Sequence, residues 1–401
     1  MKQILILLIA FITCVSVKAQ KSYSQLWGMN GEKWDKTKLP DFTTAGYREG
    51  KVPIPVYAKS ISVIDFGAVN DGIKDNTAAF RKAIKNCGNK TTLIIPAGKY
   101  VLTDSLLIKK SGVCIKGAGP GKTILLFKKG LEELYPKYNT VNKNQTPWSW
   151  SGALLLFEGE ITDSGIQDLS IQFPDDSLYA GHNFHERAYN AVGFSAKAHD
   201  GWIKNVEFTG ADVGIWIESS ASHITAENWI LDFGPKRAAQ DISGHHGVNI
   251  YGGHNLLQNF EIKGKYVHDL STESAMSVYN VFRNGKGKDL CIDHHNHAQA
   301  HNLFTNLNAG LGTRVYHSGG VTPPLGICFN EVFWGITADS YMQYCDQWND
   351  KRGQAANNIQ VGIKTKQPSS LNDANGNWFE SIDPATLYPV DLYEAQMKLK
   401  K

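Results

Sequence analysis

Between Asp241 and His317 the chain concentrates side chains that exchange protons and hold anions. The stretch carries His245 and His246, Lys265 and Tyr266, His268, His294 and His295, and Arg314 and His317. All 13 histidines of the chain fall between His182 and His317. Free imidazole titrates near pH 6.5, so it serves as base or acid around neutrality. Arg314 keeps its charge and offers a planar fork that grips a carboxylate at two points. A base beside fixed cations suits one kind of reaction: removing a proton next to a carboxylate and stabilising the enolate that forms. In a uronate sugar that proton sits on C5, and its loss drives β-elimination of the group on C4. On this reading His246, His268 and His295 are the candidate bases and Arg314 holds the carboxylate. His245, Lys265, Tyr266, His294, His317 and His223 are candidate substrate contacts.

The spacing of the histidines suggests how they come together. His199 to His223 is 24 residues, then 22 to His245, 23 to His268 and 26 to His294, with 22 from His295 to His317. That interval is close to one coil of a parallel β-helix, whose strands stack about 4.8 Å apart. A residue repeated once per coil forms a row along the cylinder, and a glycan lying along the axis meets several members. Neighbours such as His245 and His246, or His294 and His295, cannot both face outward in a regular strand, so one of each pair is expected to be internal. Asp269 and Asp293 can orient histidines or close turns. His223 also reads as a plain stacked surface residue. His297 and His301 have the i, i+4 spacing of metal ligands on a helix, but their surroundings do not favour a helix.

The elements that must carry this row are short alternating strands. Segments beginning at Gly165, Gly201, His223 and Asn255 share one shape, and their apolar anchors Leu169, Val206, Trp229 and Phe260 lie 37, 23 and 31 residues apart. A basic coil with loop insertions accounts for that spread. Residues 129–151 and 174–190 read as such insertions, with Trp148 and Trp150 at a groove rim. Upstream, Ala78, Phe80, Ala83, Ile84 and Cys87 give residues 75–87 one apolar helical face, opened by Asp75-Asn76-Thr77.

Here the sequence resembles a known superfamily. "VIDFGAVNDGIKDNTAAFRKAI" followed by "LIIPAGKYVL" is similar to the opening of pectate-lyase-like right-handed β-helix proteins. The resemblance implies an all-β, single-stranded right-handed parallel β-helix with an N-terminal capping helix over the open end of the cylinder. "LPDFTTAGY", "DLCIDHHNHAQAHNLFTNLNAGLGTRVYHSGG" and "SIDPATLYPVDLYEAQ" resemble exported bacterial β-helix proteins of polysaccharide-utilisation systems. Some of these act on uronate polymers such as ulvan or pectin. Pectin hydrolases of the fold share an aspartate set that is missing here, where only Gly244-His-His-Gly247 is reminiscent of them. No aspartate cluster of the calcium-dependent pectate-lyase kind is evident, although a divalent cation such as calcium stays open, and no cofactor is required.

Composition bounds the rest. A net charge of +3 gives no case for a nucleic-acid partner. Lys2, the apolar run Ile4 to Val17 and Val17-Lys18-Ala19 read as a signal peptide cleaved near Ala19, which implies a secreted or periplasmic protein with no membrane span. Residues 20–60 read as an extended wrap and 61–401 as the β-helix with a closing C-terminal segment, in a monomer. Five cysteines follow the signal and are expected as small buried residues. The expected function is a polysaccharide lyase on an anionic, uronate-containing glycan. The alternatives are a glycoside hydrolase using Asp241, Asp269 and Asp293, and a non-catalytic glycan-binding β-helix.

Overall fold

The computed structural model describes residues 20–135, 152–175, 187–239, 241–295, 300–317, 329–342, 357–365 and 376–400. The expected targeting segment 1–19, Trp148 and Trp150, His297, Cys328 and Cys345 lie outside the described residues. Among them, no helix is long and apolar enough to cross a membrane.

The architecture is an all-β parallel helix, right-handed as parallel crossovers are. One sheet, the front sheet, stacks seven strands: Leu106–Ile108, Leu155–Phe157, Asn190–Phe194, Val213–Ile217, Gly244–Ile250, Tyr266–Thr272 and Ile292–His294. The other sheet is bent. Its long strands, such as Ser164–Gln172 and Gly201–Thr209, carry one residue in the left-handed region: Asp168, Asn205, Asn228, Asn259, Asn284 and Asn306, with φ between 51° and 58°. Asparagine and aspartate tolerate that conformation better than other side chains with a Cβ. The corner divides each strand. First halves continue Val113–Lys116, and second halves continue Thr123–Phe127. The cross-section therefore has three faces.

The expected anchors are in register. Val206 pairs with Leu169 and Trp229, and Trp229 with Phe260. Core side chains repeat coil by coil, so like rings stack: Phe282 on Phe304 at 4.8 Å and Phe304 on Phe333 at 5.4 Å. Inside one corner runs a buried amide ladder. Asn280 accepts from the Asn255 amide at 3.0 Å, Asn302 from Asn280 at 3.0 Å, Glu331 from Asn302 at 2.8 Å and Asn358 from Glu331 at 2.9 Å. Each rung satisfies a backbone N–H that would otherwise be buried without a partner.

The helix Thr77–Asn86 closes the N-terminal end, burying Thr77, Phe80, Ala83 and Ile84. Asp75 caps it, accepting from the Thr77 amide at 3.0 Å. Residues 20–58 lie along the outside of the bent sheet and run against the coil order. Ser22 bonds the Thr386 carbonyl, Gly46 bonds His254, Tyr47 bonds Thr225, Arg48 bonds Asp200 and Tyr57 bonds Asp163. Lys59–Ser62 then joins the sheet beside Thr91–Ile94. Trp27, Leu39 and Phe42 pack with Leu303, Trp334 and Leu392 in a second apolar cluster. Cys87, Cys114 and Cys291 are buried and unbonded.

Candidate active site

The histidines do not form one row, and the reasons are local. His246 and His268 are register partners on adjacent front-sheet strands. Two flanking residues that share this coil spacing are offset. The amides of His245 and His246 both donate to the Asp212 carbonyl, at 3.1 and 3.0 Å, which is the mark of a bulge. The extra residue lets both rings join the cluster, with centroids 4.0 Å apart, contrary to the expectation that one of them turns inward. At the next pair the expectation of alternation matches the geometry. His294 points into the core against Phe304 and Phe333, and His295 points out.

The cluster is built on the outer face of four front-sheet coils. Asn249, Ser271 and Asp293 follow one another in register. The row beside them is set by Glu218, Tyr251, Glu273 and His295, whose amides bond carbonyls of the preceding coil. Asp293 is fully buried and central. Its Oδ2 accepts from the Ser271 hydroxyl at 3.1 Å and pairs with His295 Nδ1 at 3.0 Å, with His268 Nδ1 3.4 Å away. His246 Nδ1 bonds Ser271 at 2.8 Å, and its Nε2 lies 3.6 Å from Glu273 Oε1. The His268 and His295 rings are 5.3 Å apart. Tyr251 packs on Trp216 at 5.5 Å, whose indole N–H donates to Glu218.

Burial and mutual charge set the protonation of these groups. Burial raises the Asp293 carboxyl, but the imidazoles of His268, His295 and His246 outweigh it and hold Asp293 ionised. Burial lowers His295, yet Asp293 and Glu273 prevail and raise it to about 9. Burial pushes His268 down to about 4 against the pull of Asp293, and Glu273 up to about 7 against the pull of His295. Burial, reinforced by Glu273, pushes the Tyr251 hydroxyl up, so it keeps its proton.

The remaining expected residues lie elsewhere. Tyr266 is completely buried beneath Phe233, and His294 is likewise at 0 % exposure, so neither can touch a substrate. Arg314 is committed to the fold: its guanidinium donates to the carbonyls of Asp289, Tyr266 and Val267 and to Asp269 at 2.6 Å. Asp269 in turn accepts from the amides of Tyr266 and Cys291. This pair clamps coils together and is not placed to grip a carboxylate. Lys265 pairs with the exposed Asp241 at 2.5 Å. His317 is exposed, beyond the cluster. His223 belongs to a different corner, in a stack with His254, Tyr279 and His301 at spacings of 5.2 to 5.3 Å. Sequence reasoning missed Tyr251, Glu273, Ser271 and Trp216. Tyr251 and Glu273 were recoverable from the strands of His246 and His268, which each precedes them by five residues. A large open groove of about 600 Å³ lies on the bent sheet along the Asn205 to Asn306 corner, away from this chemistry.

Comparison with known proteins agrees with the fold. Residues 60–162 match the family model described as Rhamnogalacturonase A/epimerase, pectate lyase-like. With the stacked parallel coils, this makes the chain a pectate-lyase-like parallel β-helix protein. Its relatives include the putative phage-related protein YobO of Bacillus subtilis (strain 168), 31% identical over 176 residues, covering 43% of this chain and 19% of that one. Mannuronan C5-epimerase AlgE5 of Azotobacter vinelandii is 25% identical over 268 residues, covering 53% of this chain and 26% of the epimerase. Alginate lyase 7 of the same organism is 33% identical over 126 residues, covering 29% and 13%. The chain thus spans about a quarter or less of the length of these relatives.

Proposed function

We propose that the protein is a polysaccharide lyase that cleaves a uronate-containing glycan by β-elimination. The observation that carries this is the Asp293–His295 pair facing outward beside Tyr251 on the front sheet. Asp293 fixes Nδ1 of His295, which leaves Nε2 to meet substrate. Nε2 takes the C5 proton, the C5 electron pair forms the C4=C5 double bond, and the C4–O bond breaks. Tyr251, which keeps its proton, donates it to the departing oxygen. With His295 raised to about 9, its neutral form grows in above neutrality, so turnover rises toward alkaline pH. A relative named for C5 epimerisation of mannuronan and another named alginate lyase support the reading, since both names concern uronate polymers.

The hydrolase reading keeps one specific support. Burial raises both Glu218 and Glu273, which stand two coils apart on one row. That is roughly 9.6 Å along the axis, within reach of the separation of about 6.5–9.5 Å that inverting glycosidases use. Asp241, Asp269 and Asp293 are not placed for it: the first is paired with Lys265 and the others are buried.

Digestion of a panel of uronate polysaccharides decides between them. Elimination yields products with a C4=C5 double bond that absorb in the ultraviolet. New reducing ends without that absorbance establish the hydrolase. Binding without new ends leaves a glycan-binding protein.

A further inference from the structure

We propose that the Asp293 cluster binds one divalent first-row transition-metal ion, of the zinc or manganese kind. Two triads share Asp293: His246 with Glu273, and His268 with His295. Within each triad one ligand atom per residue lies within 4.8 Å of the others. An ion with metal–ligand bonds of about 2.0–2.2 Å reaches all three atoms of such a triad after small side-chain adjustments.

A second, independent observation points to a ligand. Nδ1 of His268 and Oε1 of Glu273 face into the cluster without a hydrogen-bond partner. Their residues are 7% and 6% exposed, so water does not routinely satisfy them. An unmet buried polar atom costs about 1–3 kcal/mol, and both atom types are ordinary metal ligands. The hydrogen-bond chain adds direction. Ser271 donates its only proton to Asp293, so it accepts from His246 Nδ1. That tautomer turns the Nε2 lone pair toward Glu273 Oε1, 3.6 Å away. A cation between a lone pair and a carboxylate oxygen is bound by both.

The donor set chooses the metal. Calcium takes 6–8 oxygen ligands, whereas this cluster offers two carboxylates among imidazoles. Mixed imidazole and carboxylate sites suit zinc, manganese and iron. Binding of the ion is read without substrate, so the inference stands or falls separately from the elimination chemistry.

The test uses the purified protein, stripped with a chelator, dialysed, and titrated calorimetrically with ZnCl2, MnCl2 and CaCl2. Elemental analysis after gel filtration gives the stoichiometry. One zinc or manganese per chain is expected, with calcium at least ~100-fold weaker. Glu273→Gln and His268→Ala should each weaken binding by ~10²-fold or more, with circular dichroism confirming the fold. His223→Ala, in the distant corner stack, should leave binding unchanged. Absence of stoichiometric zinc and manganese uptake by the unaltered protein overturns the proposal. So does uptake that is undiminished in the folded Glu273→Gln and His268→Ala proteins.

Discussion

His246 and His268 are 22 residues apart in sequence and 5.0 Å apart between ring centroids, register partners on adjacent strands. Ser271 and Asp293 link them to His295, so three imidazoles from three coils share one buried carboxylate. Any change at Asp293 is therefore felt by all three rings, and changes at the outermost ring separate chemistry from folding best.

His295 is that ring. His295→Ala should lower kcat on the true substrate by ~10²–10⁴-fold. Its melting temperature should move by only a few degrees, as a side chain at the surface edge contributes little packing. Turnover followed by ultraviolet absorbance, beside a thermal melt, checks both. Near-normal turnover would remove His295 from the role of base.

Tyr251→Phe keeps the ring that packs on Trp216 and deletes only the hydroxyl. If that hydroxyl protonates the departing oxygen, kcat falls by ~10²-fold or more while KM changes little. A substrate carrying a better leaving group should recover much of the loss. Unaltered kcat would rule Tyr251 out as the acid.

Arg314 acts on stability. Arg314→Ala strands the buried Asp269 carboxylate and three carbonyls, a loss of about 3–5 kcal/mol for a broken buried pair. Arg314→Lys should recover only part, because a point charge cannot span the four acceptors. Denaturant unfolding of both variants measures this, and a loss of activity without a loss of stability would contradict it.

Glu331 gives a pH signature. It is the one carboxyl in the amide ladder, fully buried, and burial raises its pKa well above the usual range. The folded protein then holds a proton that the unfolded chain releases above about pH 4.5. Stability is greatest below that value and falls as pH rises toward the folded pKa, by up to about 1.4 kcal/mol per unit. Glu331→Gln removes the titration. Its melting temperature should gain on the unaltered protein as pH increases from 4.5 to 7, and parallel curves would show that Glu331 is ionised in the fold.

The coil was legible in the sequence where side chains face the core. Leu169, Val206, Trp229 and Phe260 fell into register because an inward position must repeat at the same place on every coil. The site was legible only in part, since an interval near 22 residues says that two residues sit on neighbouring coils, not on which face. The bulge at His245 shifts the count by one, so His246 and not His245 meets His268. His223 lies at the corner before the bent sheet, so its interval to His245 crosses from one face to another. Arg314 looked like a free cation because the carbonyls that claim it carry no mark in a sequence.

The outer segment from Ser22 to Lys59 has a consequence for assembly. It leaves the ribosome before every coil it touches, yet its first contact is Thr386, near the other end of the chain. Coils can stack as they are made, but this segment waits until synthesis is almost complete, then seats in the opposite sense. Its seating welds the earliest and latest portions of the polypeptide, and cropping either terminus should release the other.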